Sequence, residues 1–255
     1  MESIDICGVR VSAVNLASAC DSVSGWIGEG TKTYVCVVPV STIVACQSDT
    51  NYLDVINNAG MATPDGMPLV WLGQWRGYRD IRRTYGPDLM LALCDLSQKR
   101  GYRHFLYGGS RETSQLLEDL LKKQFPHLNI VGRLSPPSRP LHTPEDPQAI
   151  EEINRTNADI LWVGLGSPKQ DFWMAQHRPQ LTVPVMIGVG AAFDFLAMTK
   201  KQAPRWMQQA GLEWFFRLCC EPKRLWRRYL IGNSKFIYYL LQDSLKQTFR
   251  RRRKK

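Results

Sequence analysis

The sequence predicts an α/β protein, with a largely parallel sheet carrying helices on both faces and a helical, basic C-terminal appendage. Three observations predict it. Short apolar, β-branched runs alternate with longer amphipathic segments, as strand–helix–strand units do. Several of the runs end in glycine turns that feed helices. From about Ala203 the alternation gives way to a helical, aromatic and basic pattern.

Taken in order, the expected strands are "SIDICGV" (3–9), "TYVCVV" (33–38), "MATP" (61–64), "HFLYGG" (104–109), "NIVG" (129–132), "ADILWVG" (158–164) and "VPVMIGV" (183–189). Between them, amphipathic patterns predict helices at about 11–28, 41–48, 50–58, 67–73, 87–100, 111–124, 147–156 and 168–178. "LSPPSRPLHTPEDP", Leu134 to Pro147, is too proline-rich for a helix and reads as an exposed loop, a lid or substrate edge. In the last segment, Trp226, Tyr229, Leu230, Ile237, Leu240, Leu241 and Leu245 recur at roughly helical spacing. Gly232-Asn233 is expected to break that segment into two helices. The expected division is an α/β domain over 1–202 and the appendage over 203–255.

The 255 residues, 44% hydrophobic, suffice for a sizeable core in one large domain or two small ones. The net charge of +10 is uneven: from Arg217 onward there are 13 Lys/Arg against two acids, Glu221 and Asp243. The remaining 20 basic and 21 acidic residues nearly cancel, so the excess belongs to the appendage, which ends "RRRRKK". Such a block is a solvated tail or a handle for a polyanion: nucleic acid, anionic lipid or a phosphate-rich substrate. Its arginines share the surface with Trp and Tyr, which suits a membrane-surface helix; a helix packed on the body with solvated arginines fits the same pattern. Seven scattered cysteines without C-x-x-C read as reduced, mostly buried thiols of a cytosolic protein. "MESIDICGVRVSAVN" has no signal-peptide pattern, and no run of about 18 apolar residues exists.

Several short stretches are candidates for chemistry. In "DILWVGLGSPKQDFW", Gly164 and Gly166 allow close backbone approach after a strand, Pro168 suits a first helical turn and Lys169 adds charge there. A pyrophosphate fits this turn; so does a tight strand-to-helix turn with no ligand. "YGGSRETSQ", with Gly108 and Gly109, and "GVGAAFD", ending in Asp194, are two further turns of the kind, and together the three form a candidate crevice. "ATPDGMP" sets Asp65 at the mouth of the sheet, as a turn or cap residue or as a general base. "RRTYGPDLM" follows, where Arg83 suits a phosphate or carboxylate. G-x-G-x-x-G, a P-loop, D-x-D and G-x-S-x-G do not occur, and four scattered histidines have no zinc spacing.

Taken together, "PDGMPLVW", "RRTYGPDL", "FLYGGS", "VGLGSPKQDFW", "GVGAAFDFLA", "APRWMQQAGLEWFFRL" and "EPKRLWRRY" resemble, in content and order, the WecG/TagA/CpsF glycosyltransferases over about Tyr34 to Tyr229. The resemblance implies an inverting transfer, needing neither metal nor cofactor, of an N-acetylmannosamine-like sugar. The sugar moves from a UDP-sugar donor to a polyprenyl-diphosphate-linked sugar in surface polysaccharide synthesis. It implies an anionic membrane surface and no nucleic acid as partners, on the cytoplasmic, inner face of the cell membrane, and leaves an oligomer open.

By the same resemblance Asp65 is the base, Arg83 lines its pocket, Gln170 contacts sugar or nucleotide, and Arg217, Arg224 and Arg227 or Arg228 take the diphosphate charge. The chain departs from the family pattern at Val38 and Val40, where Thr-x-Asn is usual and Ser41 and Thr42 are the nearest polar substitutes. It also has Asp171 for Glu, Met198 for Gly and Gln202 for Arg. The alternatives are another donor of the same family, such as a different hexose or uronic acid, then a nicotinamide-dependent oxidoreductase, then a non-catalytic module binding nucleic acid or membrane.

Overall fold

An apolar run without polar interruption needs cover on both faces of its sheet. Thr33–Val38 (β3) is such a run, and it lies inside a six-stranded, wholly parallel sheet. The computed structural model describes residues 1–137 and 147–253, with side chains to residue 245 in the last helix. Most of the Leu134–Pro147 loop therefore lies outside the described residues.

The other strands of the sheet are Met61–Pro64 (β4), Arg103–Gly108 (β5), Asn129–Leu134 (β6), Ile160–Gly164 (β7) and Val185–Gly188 (β8). Their order is β4-β3-β8-β7-β5-β6. Alternation along β3 divides its side chains between two cores. Tyr34, Cys36 and Val38 join Phe105, Leu161 and Met186 on one face; Val35 joins Leu106, Trp162 and Ile187 on the other. Each such Val, Leu or Ile contributes about 1.5–3 kcal/mol by leaving water.

The helices between the strands follow the expected pattern. Leu16–Glu29 (α1) starts late because the Asn15 side chain accepts from the Ser18 N–H while the Ser18 hydroxyl accepts from the Asn15 N–H. It is followed by Val40–Cys46 (α2), Thr50–Asn57 (α3), Met67–Trp75 (α4), Gly86–Arg100 (α5), Arg111–Gln124 (α6), Pro147–Arg155 (α7) and Lys169–His177 (α8). The five-residue Ala192–Leu196 (α9) begins within "GVGAAFD", read from the sequence only as a turn.

Two expectations are corrected. The first expected strand, 3–9, and the start of the first expected helix form a separate hairpin instead: Ser3–Ile6 (β1) pairs antiparallel with Val9–Ser12 (β2). Cys7 and Gly8 turn it with φ of 53° and 85°. The Ser12 hydroxyl accepts from the Ala62 N–H, so the hairpin protects the otherwise open edge at β4.

The second correction concerns Gly232-Asn233, which breaks nothing. Pro222–Trp226 (α12) continues through one π-turn, Arg227–Ile231, into Gly232–Arg253 (α13). Gly232 keeps helical angles of −63° and −46°. A mid-helix glycine costs only about 1 kcal/mol, and Phe236, four residues on, is buried in the core with Ile43 of α2. Before this helix lie Arg205–Gln209 (α10) and Glu213–Cys220 (α11). Five of the seven cysteines are buried, and Cys219 and Cys220 are exposed.

Gly108 sits where β5 meets β7. Its φ is +125°, and a Cβ there would lie 2.6 Å from the Gly164 carbonyl carbon and oxygen. Gly30, at the end of α1, has φ +66° but open space around it. Gly108→Ala should therefore cost about 2–4 kcal/mol in denaturant unfolding, and Gly30→Ala only about 1–2 kcal/mol. Equal losses would contradict the backbone-contact account.

Candidate functional site

The site begins where β4 ends. The Asp65 N–H donates to the Val38 carbonyl at 3.1 Å, and Gly66 caps α4 with Pro68 in its first turn. Asp65 therefore stands at the carboxyl edge of the sheet, where ligands of open α/β sheets sit. The Thr84 N–H donates to the Pro64 carbonyl at 2.9 Å and brings Arg83 alongside.

Arg83 is the hub. Its Nε donates to the Asp65 backbone carbonyl and its Nη2 to Asp65 Oδ1 at 3.3 Å. The same Nη2 lies 2.5 Å from Glu213 Oε2 of α11, and Nη1 donates to Gln208 Oε1 at 3.3 Å. The guanidinium stacks 4.0 Å over the Tyr85 ring. The Tyr85 hydroxyl donates to Glu213 Oε1 at 3.2 Å and accepts from Gln202 Nε2 at 3.3 Å. Gln202 thus supports Tyr85 at the position where the family usually carries Arg.

The Asp65 side chain is only 20% exposed. Burial pushes its pKa above the usual carboxylate range, Arg83 opposes this and the Glu213 charge adds to it. Arg83 is held more firmly charged than usual, because Asp65 and Glu213 outweigh its own burial.

Two cavities meet at Asp65. A polar crevice of about 290 Å³ lies over the ends of β3, β7 and β8, reached by Gly164, Gly166, Ser167, Gln170, Gly190 and Asp194. An apolar groove of about 600 Å³ runs between α4 and the C-terminal helices, walled by Met67, Trp71, Trp75, Trp214, Phe236 and Leu240. Pro39, Asp65, Arg217 and Arg228 line both.

The structure brings most of the sequence-selected residues to this junction. Arg228 and Arg224 reach the crevice, and Arg228 donates to Ser41 Oγ at 2.8 and 3.1 Å. Of the pair left open in sequence, Arg228 faces inward from the π-turn, while Arg227 is exposed over the Trp226 ring at 5.2 Å. Arg224 is also held by Glu221 at 2.6 Å, and Asp194 by Lys200 at 2.7 Å. Gln170, 2% exposed, accepts from the Gly166 N–H at 3.1 Å and donates to Ser167 Oγ at 3.2 Å, so it shapes the glycine turn that it borders.

Five selected residues line neither cavity, the outward Arg227 among them. Gly108 packs against the Gly164 backbone, and Gly109 faces Phe193. Thr42 is buried beside the Tyr52 hydroxyl at 3.4 Å, and Lys169 is half-buried outside the crevice. Val38 is fully buried in β3, whereas Val40 lines the apolar groove.

Asp171 has a structural explanation. It is buried, and its Oδ2 accepts from the Tyr52 hydroxyl at 2.7 Å, tying α8 to α3. Burial, only partly offset by this hydrogen bond, pushes its pKa up to about 6. Sequence reasoning missed Glu213 and Tyr85, whose roles come from contacts across 130 and 128 residues. A carboxylate standing alone within the apolar-aromatic "GLEWFF" was the available signal.

The model of the glycosyl transferase WecG/TagA/CpsF family matches residues 4–250. A Bacillus subtilis (strain 168) protein, N-acetylglucosaminyldiphosphoundecaprenol N-acetyl-beta-D-mannosaminyltransferase, is 29% identical over 80% of this chain and 78% of its own length. A Bacillus spizizenii protein of the same description is 28% identical over 75% and 72%.

An acid whose native pKa lies above its unfolded value near 3.9 binds extra proton in the native state between those values. Asp171 therefore lowers stability as pH rises from about 4 through about 6. Asp171→Asn should lose that decline, changing the pH 4.5 to 7.5 stability difference by on the order of 2–3 kcal/mol. Parallel pH–stability curves for the two proteins in denaturant titrations would contradict the assignment.

Proposed function

The chain belongs to the WecG/TagA/CpsF glycosyl transferase family, and from that premise we propose that it transfers an N-acetylmannosamine-like sugar, with inversion, from a UDP-sugar to a polyprenyl-diphosphate-linked N-acetylglucosamine. The observation that carries the reading is one buried carboxylate, Asp65, at the meeting point of a polar and an apolar cavity. The relatives' descriptions name the same kind of acceptor, a lipid-linked diphosphate sugar, and the same transferred sugar.

The donor's diphosphate lies in the crevice, near the Gly164–Ser167 turn and the start of α8. The acceptor sugar enters from the groove, with its first isoprene units against Trp71 and Trp75. Asp65 takes the proton from the acceptor hydroxyl as its oxygen bonds to the anomeric carbon. On the opposite face the bond from that carbon to the diphosphate oxygen breaks, and UDP leaves with the bonding pair. Arg217, Arg224 and Arg228 neutralise the departing charge, the work that a metal ion performs in other transferases. Arg83 and Gln170 position Asp65 and the glycine turn.

One observation favours a second reading of the donor. Val38 is buried and Val40 faces the apolar groove, so neither supplies the polar contact of the family's Thr-x-Asn. A different hexose or a uronic acid from the same nucleotide is the alternative, and a panel of radiolabelled UDP-sugars decides between them.

A lipid-linked acceptor suits an enzyme working at the inner face of the cell membrane. Trp226, Leu230, Ile237, Leu241 and Leu245 are exposed along one side of the C-terminal helix. No helix among the described residues is long and apolar enough to cross a membrane. Surface binding through an apolar stripe and basic side chains fits this pattern.

Asp65→Asn should lower turnover by about 10²–10⁴-fold while UDP binding, read by calorimetry, stays within a few-fold. Retained turnover would remove Asp65 from the base role. Vesicle co-sedimentation should require anionic lipid and weaken between low and high salt. Equal binding to neutral vesicles would contradict the electrostatic part of the membrane account.

A further inference from the structure

We propose that Glu213 is a positioning residue for the transfer, acting on Asp65 through Arg83. The inference rests on the reading of Asp65 as the base, and it adds a device that tunes that base from the C-terminal segment.

The geometry is a competition for one cation. Arg83 Nη2 is shared between two carboxylates, at 2.5 Å from Glu213 and 3.3 Å from Asp65. An arginine paired with Asp65 alone would stabilise its carboxylate and make it a weak base. Glu213 draws the guanidinium toward α11 and adds its own negative charge nearby, so Asp65 keeps its appetite for a proton. The remaining groups around Asp65 are known. Arg217 comes from α11, Arg228 and Tyr229 from the π-turn, and Tyr85 from the segment that carries Arg83. Of these only Glu213 is a second carboxylate.

Glu213 is itself fixed. The Tyr85 hydroxyl donates to its Oε1, and Gln202 supports Tyr85 in turn. Gly211, two residues before it, packs against Trp71 and Met67 of α4, where a Cβ would come within 2.9 and 3.2 Å. Seating α11 on α4 therefore delivers the charge that releases Asp65 from Arg83. If α11 lifts away, Arg83 turns wholly to Asp65, and the carboxylate is a poor base until the segment is seated again. The proton-accepting power of the site is thus linked to the docking of the helices that carry the membrane-facing stripe.

The test uses the full chain and the pH dependence of kcat/KM. Glu213→Gln keeps an oxygen for Arg83, turns its NH2 to the Tyr85 hydroxyl, which can accept, and removes the charge. Its acid limb should move about one pH unit lower, with a several-fold lower plateau and little change in donor KM. Glu213→Asp, which keeps the charge, should return the limb toward the wild-type position. Gln208→Glu places a new carboxylate on Arg83 Nη1 and should move the limb the other way, to higher pH.

A merely structural role for Glu213 would lower rate without moving the limb. The Asp65 carboxyl carbon, identified by its loss in Asp65→Asn, gives the same titration by NMR without turnover. Unmoved midpoints in Glu213→Gln, or in Gln208→Glu if the first variant does not fold, would overturn the proposal. Retained turnover in Asp65→Asn would instead overturn the base assignment, and the NMR midpoints would still decide the coupling between Glu213 and Asp65.

Discussion

The arrangement of this site depends on one buried cation held by two carboxylates from distant parts of the chain. Arg83 is anchored by Asp65 at the end of β4 and by Glu213 in α11. A buried charge that loses its partner typically costs 3–5 kcal/mol. This makes the seated position of α11 more than a packing preference: it satisfies a charge that the β4 edge alone satisfies less well. The same contact brings Arg217 and the π-turn with Arg228 over the carboxyl ends of the strands. A π-turn widens the helix by one residue and re-aims its side chains, and here it separates inward Arg228 from outward Arg227.

The parallel sheet makes the site by placing many strand ends on one side. β3, β4, β7 and β8 all deliver their last residues to the same edge, and short glycine turns keep the backbone close there. Gly164 shows how little room is left: a Cβ would meet the Phe193 ring at 2.8 Å. The result is a polar crevice beside an apolar groove, with Pro39, Asp65, Arg217 and Arg228 lining both. That contrast in lining suits the proposed transfer, which would join a sugar from a charged nucleotide to a lipid-linked acceptor.

Much of this was legible in the sequence because it is local. The runs "TYVCVV" and "MATP" became β3 and β4 with the expected ends, and α6 spans the expected 111–124, started by Ser110, whose side chain accepts from the Thr113 N–H. What misled was local signal overruled by packing. Gly232-Asn233 looks like a break, but burial of Phe236 carries the helix through it. "SIDICGV" looks like one strand, but the turn at Cys7-Gly8 folds it back to cover the sheet edge. What stayed hidden was long-range. Nothing near Glu213 in the chain announces Arg83, and nothing near Gly108 announces that it is held against Gly164 rather than turned toward a ligand. Val40 in the groove and Asp171 under Tyr52 likewise acquire meaning only from their neighbours in space.

The division of labour between the two cavities is the centre of this account, and a structure of the full chain with UDP bound tests it most directly. The diphosphate should lie in the polar crevice, beside the Gly164–Ser167 turn and within reach of Arg217 and Arg228, with its terminal phosphate pointing toward Asp65 and the apolar groove left free. A nucleotide seated in the groove against Trp71 and Trp75, or at a distance from Asp65, would contradict it.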